Sequence, residues 1–125
     1  MIYGIGVDLQ NIAQLEEAVK RQGDSFLRKV FTDRERAYCS RRTSPVQHLA
    51  ARWAVKEAFL KATGSGLGGQ YLFKDLEVVN KPSGQPELLL HGKAEEERKR
   101  LGLHIYISIS HSGEYALGQV VLCKA

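Results

Sequence analysis

Hydrophobic and polar positions alternate over residues 2–9, with Tyr3, Ile5, Val7 and Leu9 on one face of an extended chain and Ile2, Gly4, Gly6 and Asp8 on the other. This period of two predicts a strand with one apolar face and one nearly bare. Glycines within a strand mark close approach by a ligand or another backbone, so Asp8 is expected to end a trough instead of a packed surface. Asn11 is placed to cap a helix over roughly 12–21, with Ile12, Leu15 and Val19 as its inner stripe.

Capping signals then dominate. "FTDRERAYC" offers a capping box, Thr32 with Glu35 three residues on, and predicts a short helix ending near Arg41. "TSPVQHLAARWAVKEAFLKATG" repeats the device with Ser44 as cap, Pro45 first and Gln47 third, and Gly64 as the stop. Spanning roughly 45–63, this is the longest element expected, and its nearly all-round apolar surface predicts burial. Two strand-like segments, "LFKDLEVV" and "PELLLH", flank the turn-rich "NKPSGQ", and "KAEEERKRLG" reads as a polar helix stopped by Gly102. "LHIYISIS", with Ile105, Ile107 and Ile109 inward, turns at "HSGE" into an antiparallel partner, "YALGQVVL". The pattern as a whole predicts an α+β fold with helices packed on an antiparallel sheet.

Composition narrows the class. A length of 125 residues with 43% hydrophobic and 26% charged side chains fits one soluble domain over 1–125 and excludes disordered or collagen-like chains. The net charge of +4 favours an anionic partner: nucleic acid, a phosphorylated small molecule or an acidic protein. Cys39 and Cys123 lie far apart with no CxxC and no metal-ligand spacing, so free thiols in a reducing compartment are expected. Neither a leader pattern nor an apolar run near the roughly 20 residues of a membrane span is present, which points to the cytoplasm and to no membrane partner.

Candidate chemistry sits on the long helix. At about 100° per residue, Glu57 and Lys61 fall about 40° apart on one side. On an ordinary helix they would form a solvated ion pair worth a few tenths of a kcal/mol. Here apolar neighbours remove much of the solvated face, and buried charges cluster at functional sites. Asp8 joined to Glu57 offers two hard oxygen ligands, which suits Mg²⁺ completed by water and phosphate oxygen, with a lysine to neutralise phosphate charge. "GSGLGG" follows a helix and precedes a strand, the reverse of the phosphate-loop and dinucleotide motifs, so it reads either as an anion nest or as a helix stop and connection. His111 at a strand end reads as structural, and His48, His91 and His104 have no metal-binding spacing. The "EEERKR" run reads as a solvated face.

Three stretches, "GIGVDLQNI", "ARWAVKEAFLKATGSGL" and "ISISHSGEYALGQVV", together resemble the holo-acyl-carrier-protein synthases, a family of 4′-phosphopantetheinyl transferases. The resemblance spans nearly the whole chain and rests most on WxxKEAxxKAxGxG with a downstream S-x-S-H. It implies the transferase fold and transfer of the 4′-phosphopantetheine arm of coenzyme A to a serine of apo-acyl carrier protein, releasing adenosine 3′,5′-bisphosphate, in fatty acid and lipid metabolism. Carried over by position, it implies Mg²⁺ on Asp8 and Glu57, and Lys61 on the pyrophosphate assisting the leaving group. It also implies nucleotide and 3′-phosphate contacts from Arg52, His111 and Ser112, a loop of Gly64, Ser65 and Gly66 beside the phosphates, and "NKPSGQP" at the adenine. Arg21 and Arg28 match the family's basic residues for its acidic carrier. The family is trimeric with sites between subunits; the glycine-bearing face of the first strand and the aliphatic strands are open to reading either as that interface or as core. Val55 stands where alanine is frequent, a change expected to alter packing only.

Two other readings compete. A non-catalytic basic module for nucleic acid is motivated by charge alone, and no aromatic-interleaved basic stretch supports it. A transferase acting on a carrier domain of a larger synthase fits the same fold, but members with broad targets tend to be longer. The general base stays open between a carboxylate and a metal-polarised water.

Overall fold

Local signals set most element boundaries in the computed structural model, which describes residues 1–64 and 71–125. The chain forms β1 (Ile2–Asn11), α1 (Ile12–Gln22), α2 (Asp24–Val30), α3 (Asp33–Ser40), α4 (Pro45–Thr63), a 3₁₀ turn (Phe73–Asp75), β2 (Leu76–Asn80), β3 (Pro86–Leu90), α5 (Gly92–Leu101), β4 (Leu103–Ser112) and β5 (Tyr115–Lys124). Asn11 caps α1 by accepting from the Gln14 amide, and Thr32 and Glu35 close the expected capping box on α3. The second expected box does not form. Ser44, at φ −125° and ψ 79°, makes no side-chain cap bond, and Gln47 reaches His111 instead.

Helix α2 has no counterpart in the sequence reading. Gly23 at φ +66° stops α1, and Asp24 restarts a helix beside the positive end of its own dipole. The strand expected over "LFKDLEVV" begins only at Leu76, because residues 73–75 coil into the 3₁₀ turn, and His91 caps α5 instead of ending β3.

The strands form two antiparallel sheets among the described residues, β1-β5-β4 and β2-β3. The α+β expectation holds: α4 lies across the larger sheet, and Val55, Ala58, Phe59 and Ala62 pack on Val120, Leu122 and the inward isoleucines of β4. A second cluster, with Leu15, Val30, Phe31 and Leu49, joins α1, α2 and α3 to the other side of α4.

The contact between β1 and α4 corrects the expectation for β1. A Cβ on Gly4 would stand 2.0 Å from the Ala62 carbonyl oxygen, and one on Gly6 would stand 1.9 Å from that of Ala58. Two strand residues rise about 6.6 Å and four helix residues about 6 Å, so the same backbone-to-backbone contact repeats. Gly118 of β5, in register with Asp8, extends it against Ala54 and Val55. The bare face is therefore core, filled by helix backbone. The apolar face turns outward, with Ile5 56%, Val7 49% and Leu9 57% exposed.

Candidate active site

The glycine contact brings the end of β1 to the flank of α4. Asp8 follows Gly6 by one strand period, and Glu57 and Lys61 bracket Ala58 on the helix. The Lys61 ammonium donates to Asp8 Oδ1 at 2.9 Å and to the Val7 carbonyl at 3.1 Å, and the Gln10 amide donates to the other Asp8 oxygen. Lys61 thus pairs with Asp8, not with Glu57 as a solvated i,i+4 pair would have it. Burial pushes the Glu57 carboxyl above the usual carboxylate range, the Asp8 charge pushes it further, and the Lys61 charge partly opposes both. Two carboxylates close enough to disturb one another favour a cation between them.

Among the described residues no group of three or more His, Cys, Asp or Glu could hold a metal ion. Asp8 and Glu57 alone make a two-carboxylate oxygen donor set, which matches Mg²⁺ bound chiefly through water and phosphate.

A second group gathers around Arg52. This residue lies five positions before Glu57, about 140° away around α4, so it faces a different neighbour. Arg52 is 2% exposed; its Nη2 donates to Asn80 Oδ1 at 2.6 Å and its guanidinium lies 4.3 Å from the Tyr38 ring centre. Its Nε is buried with no hydrogen-bond partner among the described residues. His111, at the end of β4, is exposed and its Nε2 lies 3.1 Å from the Gln47 amide. Gln47, His48, Arg52, Asn80 and His111 line one cleft of about 220 Å³. Burial lowers the His48 pKa, and the Arg52, Arg42 and His111 charges lower it further.

The candidates thus fall into two places. Ser112 is exposed at the β4 terminus opposite Tyr115, beyond His111. Gly64, at φ +54°, ends α4 one turn after Lys61, while Ser65 and Gly66 lie outside the described residues. Arg21 and Arg28 are exposed on α1 and α2, Arg21 paired to Glu17 at 3.7 Å. Both cysteines are free, and burial raises the Cys39 thiol to about 11.

Sequence reasoning missed Lys56. It is fully buried and donates to Glu35 Oε1 at 2.7 Å, to the Val30 carbonyl at 2.7 Å and to the Phe73 carbonyl at 2.9 Å. Glu35 also accepts from the Thr32 and Val78 amides. A lysine amid an apolar stripe, with one spare acid in the neighbouring capping box, was the available signal.

Residues 4–120 match the family model of the 4′-phosphopantetheinyl transferase superfamily. Holo-[acyl-carrier-protein] synthase of Geotalea daltonii is 46% identical over 99% of this chain and 100% of its own. The crystal structure of the Neisseria meningitidis holo-[acyl-carrier-protein] synthase superposes with a TM-score of 0.90 at 30% identity, covering 99% of this chain and 100% of that one. The Chronobacterium ammoniagenes ACPS–CoA complex superposes at 0.84 with 32% identity, covering 98% and 97%. The chain belongs to the 4′-phosphopantetheinyl transferase superfamily, as an enzyme of its holo-[acyl-carrier-protein] synthase group.

Proposed function

We propose that this chain, acting as one transferase domain in the cytosol, moves the 4′-phosphopantetheine arm of coenzyme A to a serine hydroxyl of an apo-acyl carrier protein. The carrying observation is the convergence of Asp8, Glu57 and Lys61 at one edge of the β1–α4 contact in a member of this family. The serine oxygen attacks the phosphorus that bears pantetheine, the bond from that phosphorus to the bridging oxygen breaks, and adenosine 3′,5′-bisphosphate leaves with the bridging oxygen. The serine proton passes to a base.

Such a reaction is mainly positioning and charge neutralisation. Asp8 and Glu57 are the residues that would hold Mg²⁺, which when bound neutralises pyrophosphate charge and lowers the pKa of its water. Lys61 offers its ammonium to the leaving phosphate, since Asp8 Oδ1 and the Val7 carbonyl fix the Nζ at this edge while the side chain is 57% exposed. Arg52 and His111 bind the nucleotide end, with Ser112, Gly64, Ser65 and Gly66 as further contacts and the turn around Asn80 and Pro86 at the adenine. Arg21 and Arg28 receive the acidic carrier.

The two groups of residues point away from one another on α4, which supports a homotrimer in which Arg52 of one copy completes the site of Asp8 and Glu57 on the next. The outward Ile5, Val7 and Leu9 supply an apolar surface for that assembly.

Intact mass spectrometry of apo-carrier after incubation with enzyme and coenzyme A tests the reading. The expected result is a gain of one phosphopantetheine arm with Mg²⁺ that disappears with EDTA. An unchanged mass across several acidic carriers, from folded enzyme, overturns it.

A further inference from the structure

Four clefts of the described residues each carry a carboxylate in their walls: Glu16 in one, Asp24 in another, and Glu87 in the remaining two. The cleft of about 220 Å³ that holds Arg52 carries none, and His48 and His111 line it as well. One side chain meets most of this basic group. The Tyr38 ring centre lies 4.3 Å from the Arg52 guanidinium and 4.1 Å from that of Arg42, and 6.1 Å edge-on from the His48 ring.

Two guanidinium groups against one ring repel each other, and burial of Arg52 removes screening water from its side while Arg42 stays exposed. Neither makes an ion pair among the described residues, and Asn80, which holds Arg52, is neutral. The negative face of the tyrosine ring is what opposes the repulsion, at about 0.5–2 kcal/mol per cation. The Arg52 Nε is buried without a hydrogen-bond partner among the described residues, so this chain leaves the guanidinium incompletely satisfied. A phosphate monoester supplies the charge and the paired acceptors that planar guanidinium groups match.

We infer that Tyr38 is a positioning residue: its ring, in the wall of this cleft, holds Arg52 there and carries Arg42 beside it, and so sets the preference for a donor bearing a phosphate monoester over one without it. The inference rests on the reading that coenzyme A, whose ribose carries such a monoester at the 3′ position, is the donor. Tyr38 acts through the arginines.

The test is the ratio of kcat/KM for coenzyme A to that for 3′-dephospho-coenzyme A. Tyr38→Leu is expected to lower the ratio about tenfold, as expected for loss of two cation–π contacts, and Tyr38→Phe to stay within about twofold of wild type. A merely structural role for Tyr38 lowers turnover of both donors alike and leaves the ratio in place, which overturns the inference. Arg52→Ala is the reference: a ratio lost there but kept in Tyr38→Leu refutes the role of Tyr38 alone. A ratio kept in both removes the monoester from this cleft and the inference with it, while transfer from coenzyme A would still stand. Should Tyr38→Leu fail to fold, Arg42→Gln at its exposed position is expected to lower the ratio several-fold, and an unchanged ratio again overturns the inference.

Discussion

Lysine and glutamate at neighbouring positions of α4 carry opposite kinds of burden. Lys56 is fully buried, and burial lowers its pKa while the Glu35 charge and hydrogen bond oppose the fall. Its three acceptors come from the end of α2, from α3 and from the 3₁₀ turn, so one ammonium ties three segments to the helix that bears the candidate site. Lys56→Met leaves the Glu35 carboxylate buried and unpaired, and is expected to cost about 3–5 kcal/mol in chemical denaturation. Adding Glu35→Gln should recover part of that loss, since the uncompensated charge is gone. Strictly additive losses would show that the pair is not what stabilises the junction. The sequence makes such a residue visible as a charge among apolar neighbours, but its partner sits 21 positions away and only packing identifies it. Glu57 could be singled out as a candidate for the opposite reason: its helical phase and its spacing from Lys61 are local properties.

At the scale of elements, three glycines decide how near the sheet α4 can lie. Gly6 has no free space at all, because an added Cβ would meet helix backbone. Gly6→Ala is expected to cost about 3 kcal/mol, the upper end for overpacking, and to lower transfer further than stability explains by moving Asp8 away from Lys61. Thermal melts beside kcat measurements separate the two effects; full activity in a destabilised variant would show that the spacing is not critical. Periodicity identified the strand and its glycines signalled a close backbone approach, but it left open which face is core and expected a trough at Asp8, since apolar side chains outward and glycine inward are favourable only if a helix backbone replaces the missing side chains. The junction of α3, β2 and α5 gives a pH signature. Burial of Glu77 raises its pKa, but hydrogen bonds from Thr32 and His91 and the His91 and Arg34 charges outweigh that and leave it below the usual glutamate value. With the folded pKa below the unfolded one, the stabilisation is complete above the ordinary glutamate range and disappears as pH falls through the folded value. Glu77→Gln should therefore lose about 1–2 kcal/mol at neutral pH, with the gap to wild type closing in acid. A gap independent of pH would assign the loss to packing instead.

Over the whole molecule, the two groups of candidate residues and the outward apolar face of β1 belong to one argument. The separation of Arg52 from Glu57 around α4 was calculable from residue numbers, yet its meaning depends on Asn80 and Tyr38, which tertiary packing brings to Arg52. Net charge gave the least information: the basic-module alternative shared it with the transferase, and family membership decides for the enzyme. If each site draws Asp8 and Glu57 from one copy and Arg52 from its neighbour, two impaired variants should rescue each other. Glu57→Gln and Arg52→Ala, unfolded together and refolded as an equal mixture, give mixed trimers in which about one quarter of the sites hold both native residues. At sub-saturating coenzyme A, transfer in the mixture is then expected near a quarter of wild type, well above the residual transfer of Arg52→Ala and against none in Glu57→Gln. A site built within a single chain predicts no recovery. Ile5→Glu adds the complementary control, because a charge on the outward face of β1 should yield monomers by sedimentation and abolish the rescue along with the basal transfer. Monomers with full activity would show that one chain suffices, and would remove the assembly from the mechanism while leaving the chemistry of Asp8, Glu57 and Lys61 in place.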